Sequence, residues 1–343
     1  MKRLSVLFTA PRRIDVVEDT TPDIRPDQAL VQSIVSAISA GTEMLFYRGQ
    51  VPPEMEVDTS IAALAGQTRY PLKYGYAVVG EVIAVGANVD PVWQGRRVFA
   101  FHPHESCFAA APSELIPVPR DINAEDAAFL PNMETAVNLV MDGRPMLGEQ
   151  VVVIGQGVVG LLTTGLLAQF PLGQLIALDR FPLRLEMARA FGAHAAFDPA
   201  TQPEHALRST LAQGRGADVI FELSGNPGAL NHAIALAGYS GRIVVGSWYG
   251  QKQAPLDLGG RFHRQRLQII SSQVSTIAPE WTGRWDKARR FAVAWDMIRR
   301  LQPRRLVTHR MAVTEAAQAY ALLDRQPEQA LQIVLTYTRF PES

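Results

Sequence analysis

Between residues 131 and about 273, short apolar runs alternate with stretches of helical period. Val151–Ile154, Leu175–Asp179, His194–Phe197, Asp218–Leu223, Ile243–Ser247 and Leu267–Ser271 are mostly apolar and show little polar alternation, as strands buried on both faces require. Pro182–Phe191 and Gly228–Ala237 lie between them and carry apolar residues at helical spacing. Strand and helix in alternation predict a doubly wound parallel sheet with right-handed crossovers. The chain up to residue 130 reads differently. Leu4–Phe8, Ala29–Val35, Ala77–Val85, Arg97–Phe101 and Leu115–Val118 recur between Pro22, Pro26, Pro52, Pro53, Pro71 and Pro91, the irregular spacing of a small all-β barrel or sandwich. From 274 on, Trp285–Leu301 and Glu315–Leu323 read as helices and Ala330–Tyr337 as a closing strand. Neither flanking piece is complete alone. We therefore expect one β-rich domain from residues 1–130 and 274–343, and a second, α/β domain from 131–273. The polar, alanine-rich stretch Gln50–Tyr70 interrupts the first, either as a flap or as a surface excursion.

The run Val151–Ile154 leads straight into Gly155-Gln156-Gly157-Val158-Val159-Gly160, and an apolar helical stretch follows. A lone G-x-G-x-x-G means little; placed between a buried strand and a helix it reads as a dinucleotide turn. Gly155 permits the tight turn, Gly157 lets a pyrophosphate approach the backbone, and Gly160 lets helix and strand pack closely. The helix start offers N–H groups and a partial positive charge to the phosphates. Asp179 ends the next strand, nineteen residues beyond Gly160. A carboxylate there accepts ribose hydroxyls and repels a 2′-phosphate, so NAD is expected, with NADP tolerated through Arg180. Ser224, Gly225, Ser247 and Trp248 follow the carboxyl ends of later strands, where the nicotinamide end belongs.

Composition narrows the partners. Lysine plus arginine and aspartate plus glutamate are 33 each in 343 residues. Zero net charge gives no electrostatic reason to expect nucleic acid or an anionic membrane as partner. The single cysteine, Cys107, excludes an intrachain disulfide. Met1–Phe8 is too short an apolar run for a signal peptide, and no stretch approaches the roughly 20 apolar residues of a membrane span. The expectation is a cytoplasmic protein acting on a small molecule.

The order of β-rich part, G-x-G-x-x-G part and return segment resembles the medium-chain dehydrogenase/reductase superfamily. The matching stretches are Ser39-Ala40-Gly41-Thr42-Glu43, Gly75-Tyr76-Ala77-Val78-Val79-Gly80-Glu81-Val82, Val151–Gly160, and Leu306-Val307-Thr308-His309-Arg310 with Glu315–Tyr320. The resemblance implies a GroES-like catalytic domain, a Rossmann cofactor domain, an alcohol or carbonyl substrate, and a homodimer or homotetramer. It also implies a catalytic zinc, and here the chain departs. Ala40 stands where the family has a ligand cysteine and Tyr76 where it has a ligand histidine, and one cysteine cannot build the structural four-cysteine lobe. Catalytic zinc needs about three protein ligands, so no metal is expected. His102-Pro103-His104-Glu105-Ser106-Cys107 holds donors but no second cluster accompanies it, and an exposed loop is the expected reading.

Without zinc, protein groups must handle the substrate proton. Tyr76 occupies the reacting position; it either donates to a carbonyl oxygen or fills the vacated metal cavity. Thr42 matches the hydroxyl that passes the proton outward. Glu43 is expected in structural pairing. Glu134, at a helix start, reads as a base or a hydroxyl acceptor, or as a carboxylate favoured by the helix dipole. His263, among Arg261, Arg264 and Arg266, reads as a proton donor, its arginines as a basic connector; Arg289-Arg290 reads as a solvated helix face. Two alternatives stay open: an NADPH-dependent enoyl or quinone reductase, against which Asp179 speaks, and a nucleotide-binding regulatory protein without catalysis.

Overall fold

A computed structural model describes residues 2–52, 68–211 and 214–338. The chain divides into two units: residues up to 131 together with those from 302 on, and Asn132–Leu301. Most of the Gln50–Tyr70 insertion lies outside the described residues.

The first unit opens with an antiparallel hairpin, β1 (Lys2–Ala10) and β2 (Arg13–Thr20), paired from Lys2↔Thr20 to Ala10↔Arg13. It continues through β3 (Ala29–Ala37), the short helix α1 (Thr42–Tyr47), β4 (Leu72–Lys73) and β5 (Val78–Val85). Then come β6 (Arg97–Ala100), β7 (Cys107–Ala110), β8 (Leu115–Pro117) and the short helix α2 (Ala124–Ala127). The runs expected from the sequence all carry strands. The hairpin partner β2 was hidden, because Asp15, Glu18 and Asp19 dilute its apolar residues and only Ile14 of the strand is fully buried.

The second unit carries α3 (Leu130–Gly143), β9 (Gln150–Ile154), α4 (Val158–Leu167), β10 (Gln174–Leu178), α5 (Pro182–Ala190) and β11 (Ala195–Phe197). It goes on through α6 (Glu204–Ser209), β12 (Ala217–Glu222), α7 (Ala229–Leu236), β13 (Ala237–Val245), β14 (Gln268–Ser271) and α8 (Lys287–Leu301). Among the described residues its strands form one six-stranded sheet in the order β11-β10-β9-β12-β13-β14, all parallel. Strand alternation sorts the apolar side chains to the two faces. Val152, Ile154, Ile176, Leu178, Ile220 and Ile243 pack in one core, and Val151, Val153, Leu175, Val219, Phe221 and Val244 in the other. The order reverses beside β9, which places the ligand crevice at the carboxyl ends of β9 and β12.

The chain then rejoins the first unit with β15 (Val307–Ala312), α9 (Ala316–Arg325) and β16 (Gln332–Thr336). The strand β16 pairs antiparallel with β3, Val334 opposite Ala37, and parallel with β15. This completes a sheet ordered β15-β16-β3-β5-β6-β8, with β7 also on β3. The chain thus comes back onto β3 through β16, while residues 274–301 group with the second unit. The reason is Arg290, expected on a solvated face and found fully buried. It bonds Glu134 and Asn138 of α3 and the carbonyls of Val274 and Thr276, which fastens α8 to its own unit. No helix among the described residues is long and apolar enough to cross a membrane.

Candidate functional site

In the second unit, the turn between β9 and α4 has the geometry its glycines predict. Gly155 sits at φ +92°, and a Cβ there would meet the Leu223 and Ser224 backbone at 2.6 Å. A Cβ on Gly160 would stand 1.9 Å from the Gly155 carbonyl oxygen, so helix and strand approach as closely as glycine allows. Gly157 is the contrast: nothing in the protein lies within 4 Å of the place a Cβ would take. Its side is an open cradle at the N-terminus of a ten-residue helix, the arrangement that receives phosphate. Val158 is buried and Val159 packs on the sheet core. The Gln156 side chain is fully buried; its amide donates to the Val153 carbonyl at 3.0 Å and its oxygen accepts from Thr164.

Asp179 lies beside this turn. One carboxylate oxygen accepts the Gln156 N–H at 2.7 Å, the other the Phe181 N–H at 3.0 Å. The acid therefore fixes the glycine turn. Arg180 is exposed, whereas Arg184, not singled out in the sequence, reaches within 3.7 Å of Asp179 and lies over the Phe181 ring. At the carboxyl ends of β12 and β13 the expected residues also come together: the Gly225 N–H donates to Ser247 Oγ at 2.9 Å, and Trp248 is 37 % exposed.

Two candidates fall elsewhere. His263 is exposed on the connector before β14. That connector is tied to the amino ends of its neighbours, Arg261 donating to the Ala237 carbonyl and Ser240 to that of Gln265. His263 thus stands at the end of the sheet opposite the glycine turn, too far away for proton handling there. Glu134 is buried and committed to Arg290, whose Nε and Nη2 donate to one carboxylate oxygen at 3.1 and 2.8 Å. Burial pushes the Glu134 carboxyl above its usual range while Arg290 opposes the shift. The carboxylate is a partner for the guanidinium, and the base reading is withdrawn.

The first unit holds a buried polar chain that the sequence did not announce. Tyr337 Oη lies 2.7 Å from Ser36 Oγ, which lies 2.7 Å from His104 Nδ1. His104 Nε2 lies 2.9 Å from Glu43 Oε2, which also accepts the Tyr320 hydroxyl. Burial, and then Glu43, push the Tyr320 phenol well above its ordinary range. The His102–Cys107 stretch is therefore core and not an exposed loop: His104 and Cys107 are fully buried, and burial raises the Cys107 thiol to about 11. Glu43 is in structural pairing as expected, with histidine and tyrosine as partners. Its other oxygen accepts the Ser39 N–H at 2.8 Å while Ser39 Oγ accepts that of Thr42, so the local turn closes on itself.

This chain supports Tyr76. Gly75 has φ +117°, and a Cβ there would meet the His104 ring at 2.6 Å, so the imidazole braces the backbone from which Tyr76 projects. Tyr76 is half-buried, edge-on to Tyr74 at 6.4 Å, and Thr42 is half-buried at the start of α1. Ala40 offers no donor, both His104 nitrogens are engaged, and no group of three or more His, Cys, Asp or Glu among the described residues is placed to hold a metal.

Residues 158–293 match the family model described as zinc-binding dehydrogenase. The chain is 25 % identical to D-guloside 3-dehydrogenase of Escherichia coli strain K12 over 98 % of its length and 100 % of that protein. It is 25 % identical to sorbitol dehydrogenase of Bacillus subtilis strain 168 over 72 % and 75 %. An alcohol dehydrogenase of Escherichia coli CFT073, solved with NADH, superposes at TM-score 0.79 with 20 % identity, covering 98 % of this chain and 99 % of that one. Along its length the chain is similar to medium-chain dehydrogenases, shares their GroES-like and Rossmann folds, and is an oxidoreductase.

Proposed function

We propose that this protein is an NAD(P)-dependent oxidoreductase that interconverts an alcohol and a carbonyl of a small polar substrate without catalytic zinc. The observation that carries this reading is the open cradle at Gly157 between the closed contacts of Gly155 and Gly160. The backbone of residues 155–160 and the start of α4 would hold the pyrophosphate. Asp179 would accept the adenosine ribose, with Arg180 and Arg184 close enough to the acid to temper its rejection of a 2′-phosphate. Ser224, Gly225, Ser247 and Trp248 would border the nicotinamide. The dinucleotide supplies hydride transfer when bound.

The rest falls to side chains of the first unit. A phenol at Tyr76 donates a hydrogen bond to the carbonyl oxygen and takes up or releases the substrate proton; the Thr42 hydroxyl passes that proton outward. Zinc takes no part, because Ala40 and Tyr76 replace ligands and His104 is spent on Ser36 and Glu43. The two relatives named for sugar derivatives make polyhydroxylated alcohols the first substrates to assay.

Turnover with NAD and NADP over a panel of polyols and sugar derivatives tests this reading. We expect a lower KM for NAD, a fall of about a hundred-fold or more in kcat for Tyr76→Phe, in line with the loss of a general acid–base group, and no loss on treatment with a zinc chelator. Clear preference for NADPH with reduction of activated C=C bonds would overturn it.

A further inference from the structure

The strand β12 ends on a carboxylate that an apolar residue would replace at lower cost. Glu222 is fully buried in a strand whose preceding three residues are apolar core. Burying a carboxylate is costly unless donors surround it. Here they do. One oxygen accepts both the N–H of Ser224, at 2.9 Å, and its hydroxyl; the other accepts the Tyr249 hydroxyl at 2.6 Å. The main chain repeats the pattern, since the Glu222 carbonyl receives the Gly246 N–H at 3.1 Å and the Ser247 hydroxyl at 3.4 Å. Two further bonds cross the same gap, Gly225 N–H to Ser247 Oγ at 2.9 Å and Lys252 Nζ to the Gly225 carbonyl at 2.9 Å.

These bonds join two loops that share no strand pairing: the one after β12, residues 223–226, and the one after β13, residues 246–252. The first of them also forms the wall against which Gly155 packs, because a Cβ on Gly155 would strike Ser224. The Glu222 carboxylate therefore ties the two loops that leave the sheet at its ligand-binding end, alongside the Gly225–Ser247 and Lys252–Gly225 bonds.

We propose that Glu222 is a positioning residue for the nicotinamide end of the dinucleotide, knotting the loop after β12 to the loop after β13 and so fixing where Ser224, Gly225, Ser247 and Trp248 stand. The proposal rests on the reading of the glycine turn as a dinucleotide seat. The adenosine half belongs to the turn and Asp179, which Glu222 does not touch through any hydrogen bond named above. The two halves of the cofactor should thus respond differently to its loss.

The test titrates NADH and ADP-ribose, which lacks the nicotinamide, into the full-length wild type and into Glu222→Ala, Glu222→Gln and Tyr249→Phe, with a thermal melt of each. In Glu222→Ala we expect NADH to bind about ten-fold more weakly or worse, the factor that loss of hydrogen bonds to a charged group gives, while ADP-ribose binds within about two-fold of wild type, the scatter allowed here for a site left intact. Glu222→Gln and Tyr249→Phe should show smaller losses of the same selectivity, and they carry the test if the alanine variant does not fold. Equal weakening of both ligands, or unchanged NADH affinity in all folded variants, would overturn the proposal while leaving the dinucleotide seat standing. A wild type that binds neither ligand would overturn the seat itself, and this proposal with it.

Discussion

Three glycines within six residues meet three different surroundings, and substitution should distinguish them. Adding a methyl to Gly160 drives it into the Gly155 carbonyl at 1.9 Å, a contact that backbone cannot relieve cheaply. Gly160→Ala should therefore lower stability by several kcal/mol, within the range of severe packing mutations, read as a large fall in Tm. Gly157→Ala meets nothing within 4 Å; its Tm should match the wild type while NADH affinity falls at least ten-fold, about 1.4 kcal/mol. Equal melting losses in both variants would mean that the open space at Gly157 is not a ligand cradle. The turn itself was legible because sequence spacing specifies local backbone. Glu134 was not, because its partner Arg290 lies 156 residues away and nothing local marks an arginine on a basic helix as buried.

At the scale of elements, α8 is held by that arginine. Its guanidinium meets one carboxylate, one amide oxygen and two carbonyls, all in the second unit. Removing one partner of a buried pair costs more than never having made it, about 3–5 kcal/mol, because the remaining charge stays desolvated. Arg290→Ala should reach that range in urea or thermal unfolding. Glu134→Gln in the Arg290→Ala background should recover part of the loss, since no buried charge then remains. A stable single variant would show that the pair is dispensable. Strands and helices themselves were readable from periodicity wherever a strand is buried on both faces, as β9, β10 and β12 are. The hairpin strand β2 and the buried His104 escaped: one is half-exposed, and the other sits in a polar hexapeptide whose burial depends on β1 and β3 closing over it through Ser5, Ser33 and Ser36.

At the scale of the whole molecule, the first unit is assembled from the two distant parts of the chain, and Asp324 of α9 helps to close it. It pairs with Arg48 at 2.7 Å and Arg12 at 3.0 Å. Burial pushes its carboxyl up, but the hydrogen bonds and charges of Arg48 and Arg12 outweigh this and hold it below the usual carboxylate range. A lowered folded-state pKa contributes stability that is present above the usual range and lost as pH falls through the lowered value. Unfolding free energy should therefore show an acid-side decline to which Asp324 contributes about 1 kcal/mol, the scale of partly exposed pairs. Asp324→Asn should flatten that decline and leave the curve's shape unchanged near neutrality. An identical acid limb in both proteins would remove the pair from the account of stability. Periodicity does not mark the division at 302, because the burial of Arg290 in α8 rests on partners far away in sequence.

The central claim is that the Gly155–Gly160 turn seats a pyridine dinucleotide. Calorimetric titration of NADH into the purified chain tests it most directly, with Gly157→Ala alongside. The expected result is saturable binding at one site per chain, weakened at least ten-fold in the variant without a change in Tm, about 1.4 kcal/mol of affinity. No heat of binding with NADH, NAD, NADPH or NADP would contradict it.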